Sequence, residues 1–413
     1  MRLGLACSII FWHGIVICYG GDVEIPLWRA PAGAAMHFAL PMFFALSGFL
    51  VSGSLNRCRT LISFFGLRAL RIVPALAAEV ALSALILGPL LTSRDLATYF
   101  RDPLVISYAL NVIGDVHFAL PGVFTANPLA AIVNGQLWTI PFELQCYLAL
   151  GGLAVAGALR KRGLLLAVVL LCQALWAWEA VRRGDDGGSG GASGPVLVIA
   201  FLFGVVLHLY RDSVPWRWSL FWACVLCGAT LSILPHGAYY LPLPACYITV
   251  FLGLLTPPRL WIVSSGDYSY GLYLYGFPLQ QAVASLGPLW QRWWIDIGLA
   301  LPGAFLAALL SWHFVERPAL SLRHGLPAID AKAASVFCRT GTQALAPLHW
   351  GWRLIRRVLA WLVGAMGIAG VLLLVNADGA LASAALCASF FAAVLRVTLS
   401  PPRLLDHGAQ TAT

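Results

Sequence analysis

Apolar runs of nearly 20 residues recur from one end of this chain to the other, and that recurrence constrains the fold more than any motif does. A run of that length crosses the hydrocarbon layer as an α-helix, which satisfies its own backbone polar groups where no water can. With 60% hydrophobic and 10% charged residues, a chain of 413 residues has too little charge to cover a water-soluble globule. The sequence therefore predicts an all-α, polytopic transmembrane helix bundle. The runs fall at about 3–20, 36–54, 74–92, 132–157, 163–181, 195–210, 217–234, 239–255, a ninth beginning SSGDYSYGLYLYGFPLQQ, then 293–314, 354–375 and 379–396, twelve in all. The first continues past Cys18 without a small-residue cleavage pattern, so it is expected to be retained as a helix.

The formal charge of +9 could suit nucleic acid, but the positions of the basic residues suit membrane orientation better. With both termini inside, all of the 26 basic residues except Arg29, Arg94, Arg101, Arg182, Arg183 and Arg292 fall on the cytoplasmic side. Membrane lipids are thus the expected partner, and nucleic acid is not. Pro74 is expected to open the third span, which leaves Arg68 and Arg71 in the basic loop before it, three apart on one helical face. The stretch 93–128, interrupted by Asn111, Gly114, Asp115 and His117, reads as a re-entrant or interfacial segment on the outer side. Cys224 and Cys227 form a CxxC pair in the middle of an apolar run with no second ligand pair nearby, so no metal site is expected.

Two places carry candidate chemistry. Arg2 and His13 are eleven steps apart, which puts them on one face of the first helix and about 16 Å apart along its axis. A guanidinium at the membrane surface can hold an anion, and a neutral imidazole near mid-bilayer can take a proton from a hydroxyl. A snorkelling Arg and a hydrogen-bonded helix His are the alternative. Glu143, in NGQLWTIPFELQCYLALGG, reads as the only acid deep in any of the long apolar runs. Such a carboxyl must be protonated, paired or turned toward a polar cavity, and a purely structural pairing would satisfy it as well. Tyr268, Tyr270, Tyr273 and Tyr275 surround Gly271 and fit either an interfacial belt or a substrate path.

Six segments, in order, resemble the acyltransferase-3 family of integral membrane O-acyltransferases. They are Arg2-x10-His13, FFALSGFL at 43–50, LRALRIVPA at 67–75, LWTIPFELQCYL at 137–148, DYSYGLYLYGFP at 267–278 and HFVERPAL at 313–320. The resemblance covers about residues 1–320 and implies transfer of an acyl group, usually acetyl, from cytoplasmic acyl-CoA to a hydroxyl of a cell-surface or exported glycan. On that resemblance His13 is general base or transient acyl carrier, and Arg2 engages the coenzyme together with Arg68 and Arg71. Glu143 would orient His13 or the acceptor hydroxyl, while Ser47 and Tyr270 would line the path. Acyl-CoA is then a co-substrate, and no tightly bound cofactor is expected. Family members often carry a His where this chain has Gly276.

The resemblance further implies an acyltransferase-3-like transmembrane domain at 1–320 in a bacterial inner membrane; beyond it, the basic residues and apolar runs predict a basic cytoplasmic loop at 321–353, two extra helices at 354–397 and a cytoplasmic tail at 398–413. Two other classes fit a basic polytopic chain: a transporter or flippase of a lipid-linked glycan, and a non-catalytic sensor. No convincing internal repeat of the kind transporters show is present. The charge count makes a direct prediction. A phosphatase that works only outside the cytoplasm should be inactive when fused after Arg323 and active when fused after Arg183; the reverse pattern would overturn the orientation.

Overall fold

In the computed structural model of the chain, the described residues are 1–329 without 59, 185–192, 235, 256–264 and 327. The two expected spans at 354–375 and 379–396 lie outside them. The described residues contain helices and no strand; a lone bridge joins Thr92 to Val123. The helices are α1 (Arg2–Tyr19), α2 (Glu24–Arg29), α3 (Pro31–Arg57), α4 (Leu61–Leu82), α5 (Gly88–Leu91), α6 (Leu96–Arg101), α7 (Pro103–Ala109), α8 (Ile140–Val155), α9 (Arg162–Arg182), α10 (Gly194–Leu209), α11 (Trp218–Ile233), α12 (Pro242–Leu254), α13 (Ser269–Ala284), α14 (Trp293–Ser311) and α15 (Arg317–Ser321).

Among the described residues, five stretches are long and apolar enough to cross a membrane: Arg2–Tyr19, Gly33–Arg57, Leu61–Leu91, Arg162–Arg182 and Trp293–Gly325. Shorter apolar helices lie at Pro103–Ile113, Gly194–Leu209, Trp218–Ile233 and Pro242–Leu254. Large apolar side chains such as Leu90, Trp178, Leu226 and Leu306 point outward. In a membrane that surface faces lipid and needs no cover.

The third span differs from its expected form. Pro74 lies inside α4, which starts at Leu61 with the Thr60 hydroxyl capping the Ser63 N–H at 3.1 Å. A proline ring removes one N–H from the ladder, and a helix embedded among neighbours tolerates that loss. Arg68 and Arg71 consequently stand on a membrane helix and not in a loop. The fourth span is shorter than expected. A 3₁₀ turn at Gly135–Thr139 precedes α8, so Glu143 sits in the first turn of that helix. Nor is Glu143 the only acid deep in an apolar run. Glu79 and Asp296 are fully buried and Glu316 nearly so. Each is a single carboxyl inside an apolar run, and hydropathy averages over it.

Close helix approach holds the centre. α10 lies along α3, and their contact is made by small residues. A Cβ on Gly48 would strike the Phe201 carbonyl, and one on Gly204 would strike the Ala45 carbonyl. Gly204→Val should therefore lower stability by about 3 kcal/mol, as overpacking does, whereas Gly298→Ala, with nothing within 4 Å of its added methyl, should melt like the wild type. Thermal melting in detergent checks both, and equal melting of the two variants would contradict the packing.

Candidate active site

α13 organises the site because its residues 270, 273, 277 and 280 share one face. Along that face the Arg71 guanidinium sits 5.5 Å from the Tyr270 ring centroid. One turn on, the Tyr273 hydroxyl donates to the Gln136 carbonyl at 3.2 Å and lies 2.8 Å from the Thr139 hydroxyl. Phe277 meets His13 edge-on at 5.1 Å. Gln280 then donates its amide N–H groups to the Ile10 carbonyl at 2.9 Å and to Asp296 at 3.0 Å. The stripe spans about 15 Å along the helix axis and runs beside the Arg2-to-His13 length of α1. α1 and α13 meet closely at Gly276, where a Cβ would come within 2.8 Å of Ile10. A histidine side chain there would not fit this packing.

At one end of the stripe lies a network of charges. Arg71 bridges Asp267 at 2.6 Å and Glu316 at 3.0 Å, and Arg2 approaches the same Asp267 oxygen at 3.6 Å. Asp267 belongs to the loop before α13. Burial alone would raise its carboxyl, but Arg71, the Ser269 hydrogen bond and Arg2 outweigh burial and hold it below the ordinary value. Glu316 comes inward because the helix takes a π-helical turn at Trp312–Glu316, and it also accepts from Ser311 at 3.3 Å.

Arg68, one turn before Arg71, is placed differently. No carboxylate among the described residues pairs with it; it donates to the Ser54 hydroxyl at 3.3 Å, and its Nε is buried without a partner. Its guanidinium lies 6.0 Å from the Tyr147 ring centroid. The Tyr147 hydroxyl donates to Glu143 and is also hydrogen-bonded with Ser47. Glu143 lies close enough to Tyr270 and Tyr273 to act on both electrostatically.

His13 is partly exposed, and its Nδ1 lies 3.2 Å from the Gln136 amide nitrogen. With Nδ1 engaged, Nε2 is the nitrogen left for chemistry. The predicted residues thus divide into groups. Arg2 and Arg71 meet at Asp267; Arg68, Ser47, Glu143 and Tyr270 gather around Tyr147 and Tyr273; His13 stands further in. No hydrogen bond between His13 and Glu143 occurs among the described residues. Sequence reasoning passed over Gln136, Tyr147 and Asp267, although all three lie inside or beside the segments that carried the resemblance. Their signal was position: Gln136 directly precedes LWTIPFELQCYL, Tyr147 lies one turn after Glu143, and Asp267 lies three residues before Tyr270.

This arrangement, a polar line leading from paired arginines to a half-buried imidazole inside an apolar bundle, is that of an integral membrane protein with an internal polar site. A family model described as an acyltransferase domain matches residues 1–316, and the chain belongs to the acyltransferase-3 family. It is similar to nodulation protein 10 of Rhizobium leguminosarum bv. viciae, 29% identical over 352 residues that cover 79% of this chain and 94% of that protein. It is also similar to the O-acetyl transferase of Shigella phage Sf6, 28% identical over 291 residues that cover 68% of this chain and 83% of that enzyme. No solved structure matches the chain. The protein is a membrane O-acyltransferase, with an acyl donor and an acceptor as its substrates.

The charge network makes a stability prediction. Arg71→Ala leaves Glu316 buried without its cation, and the cost should be about 3 kcal/mol, the low end for a broken buried pair because Asp267 keeps some solvent. Replacing Arg71 and Glu316 together with leucine should recover most of that loss. Melting of the single and double variants tests the coupling, and a single variant as stable as the wild type would refute it.

Proposed function

We propose that the chain moves an acyl group, acetyl in the first instance, from cytoplasmic acyl-CoA to a hydroxyl of a cell-surface or exported glycan, across a bacterial inner membrane. The observation that carries this reading is a partly exposed His13, its Nδ1 engaged by Gln136, at the inner end of a polar line that starts at Arg2. The orientation that places Arg2 in the cytoplasm, and the twelve-span count, belong to the same proposal.

On this reading the donor's phosphates meet Arg2 and Arg68. Arg68 is the better fitted of the two arginines on α4, because its charge has no carboxylate partner among the described residues while Arg71 has two. The pantetheine arm then follows the Tyr270 and Tyr273 face toward His13. There the imidazole Nε2 takes the proton of the acceptor hydroxyl as its oxygen attacks the thioester carbonyl. The tetrahedral centre collapses, the C–S bond breaks, and the imidazolium returns the proton to the leaving thiolate. A thioester is already activated, so positioning and one well-placed base supply much of the acceleration. Glu143, bonded to Tyr147 and close to Tyr273, holds the wall of the path and orients the acceptor.

The test uses purified protein in lipid nanodiscs with labelled acetyl-CoA and a crude glycan extract. His13→Ala should lose at least about 100-fold in turnover, the usual range for a general base. Arg68→Ala should raise the KM for the donor about tenfold with a smaller change in kcat, since a charge-assisted hydrogen bond is worth roughly 1.5–3 kcal/mol. A folded wild type that neither hydrolyses the thioester nor transfers label, with acetyl or longer acyl donors, would overturn the reading.

A further inference from the structure

Gln136, whose side-chain amide meets His13, is held at each of its main-chain polar atoms. Its backbone N–H donates to the Asn134 side-chain oxygen at 3.2 Å, and its carbonyl accepts from Tyr273 at 3.2 Å and from Thr139 at 3.1 Å. Asn134 is itself a clamp between helices. Its amide donates to Glu79 on α4 at 3.0 Å and to the Leu274 carbonyl on α13 at 3.0 Å. Asn134, Gln136 and Glu79 are all fully buried. Ser83 adds a hydroxyl to the same Glu79 oxygen at 2.8 Å. Every main-chain polar atom of Gln136 is therefore pinned, and only its side-chain amide is directed at His13, where it meets Nδ1 at 3.2 Å.

An amide beside an imidazole fixes which nitrogen carries the proton. Amide nitrogen on Nδ1 makes Nδ1 the acceptor and leaves the proton on Nε2; amide oxygen on Nδ1 keeps the proton there and leaves the lone pair on Nε2. The two arrangements differ by a half-turn of the amide. In the structure the nitrogen faces His13, and the Gln136 Oε1 is buried with no hydrogen-bond partner. The half-turn gives that oxygen the Nδ1–H as its donor. Interconversion combines that half-turn with exchange with water, one proton leaving Nε2 as another joins Nδ1.

We propose that Gln136 is a positioning residue that sets the tautomer of His13, holding the proton on Nδ1 in the active form so that Nε2 is free to act as base. Asn134, braced on Glu79, keeps it in register. This deepens the acyltransfer reading and rests on it for its kinetic consequences, though not for the tautomer itself.

Two variants separate the possibilities. Gln136→Met keeps the volume and removes the hydrogen bond. Gln136→Glu places a carboxylate oxygen on Nδ1 and can only accept. With acetyl-CoA and the glycan extract, Gln136→Met should lower kcat about 100-fold with an unchanged donor KM, because a wrongly tautomerised base fails at the chemical step. Gln136→Glu should keep at least a tenth of wild-type kcat. Histidine ¹⁵N spectra of the protein in nanodiscs, with His13→Ala to identify the signals, read the tautomer without any substrate. The expected result is an Nδ1–H population at His13 in Gln136→Glu that exceeds the one in Gln136→Met. Equal kcat in both variants with identical His13 tautomers would overturn the proposal. So would a Gln136→Met enzyme that turns over like the wild type. If no donor is turned over at all, the acyltransfer reading fails, while the spectra still decide the tautomer.

Discussion

Arg71 joins three parts of the chain that sequence keeps far apart: α4, which carries it, the loop before α13 through Asp267, and the end of the α14 segment through Glu316. In an apolar bundle such a link is far more specific than hydrophobic contact, which pulls helices together without choosing their rotation. An unpaired charge in that setting is expensive, so the three elements are constrained to present those groups to one another. The rest of the site follows from this choice. With α4 and α13 rotated so that Arg71 meets Asp267 and Tyr270, the next turns bring Arg68 to Tyr147, and further along the bundle Glu79 meets Asn134.

The apolar bundle and the family were legible in the sequence for different reasons. Long apolar runs can mean little else, and six ordered segments specify a family more tightly than any one of them. Among the named residues, Arg2 and Arg71 meet at Asp267, Arg68 and Glu143 meet at Tyr147, and His13 stands apart beside Gln136. Their pairings were not legible. Sequence spacing says which residues share a face of one helix, but not which face another helix turns toward it. His13 meeting Gln136 is a fact about two segments far apart in sequence, whereas Glu143 and Tyr147, one turn apart on α8, share a face that spacing does show.

The interior acids show the same limit from another side. Glu79, Asp296 and Glu316 vanish into strongly apolar surroundings when hydropathy is averaged, yet each anchors a hydrogen-bond cluster. Pro74 misled in the opposite sense. Its ring reads as a helix start, but a helix braced on several sides absorbs one missing bond, and the span keeps its arginines inside.

The two π-helical turns, Ser83–Leu87 after α4 and Trp312–Glu316 after α14, have a consequence for how such a bundle can change over time. A π turn is one residue more than an α-helix needs, and that residue rotates everything beyond it by about 100°. Loss of a single codon in the second of them would restore a regular helix and swing the acid at its end away from the arginine it neutralises. The length of this segment therefore sets the position of that acid in steps of one residue, independently of which apolar side chains fill it.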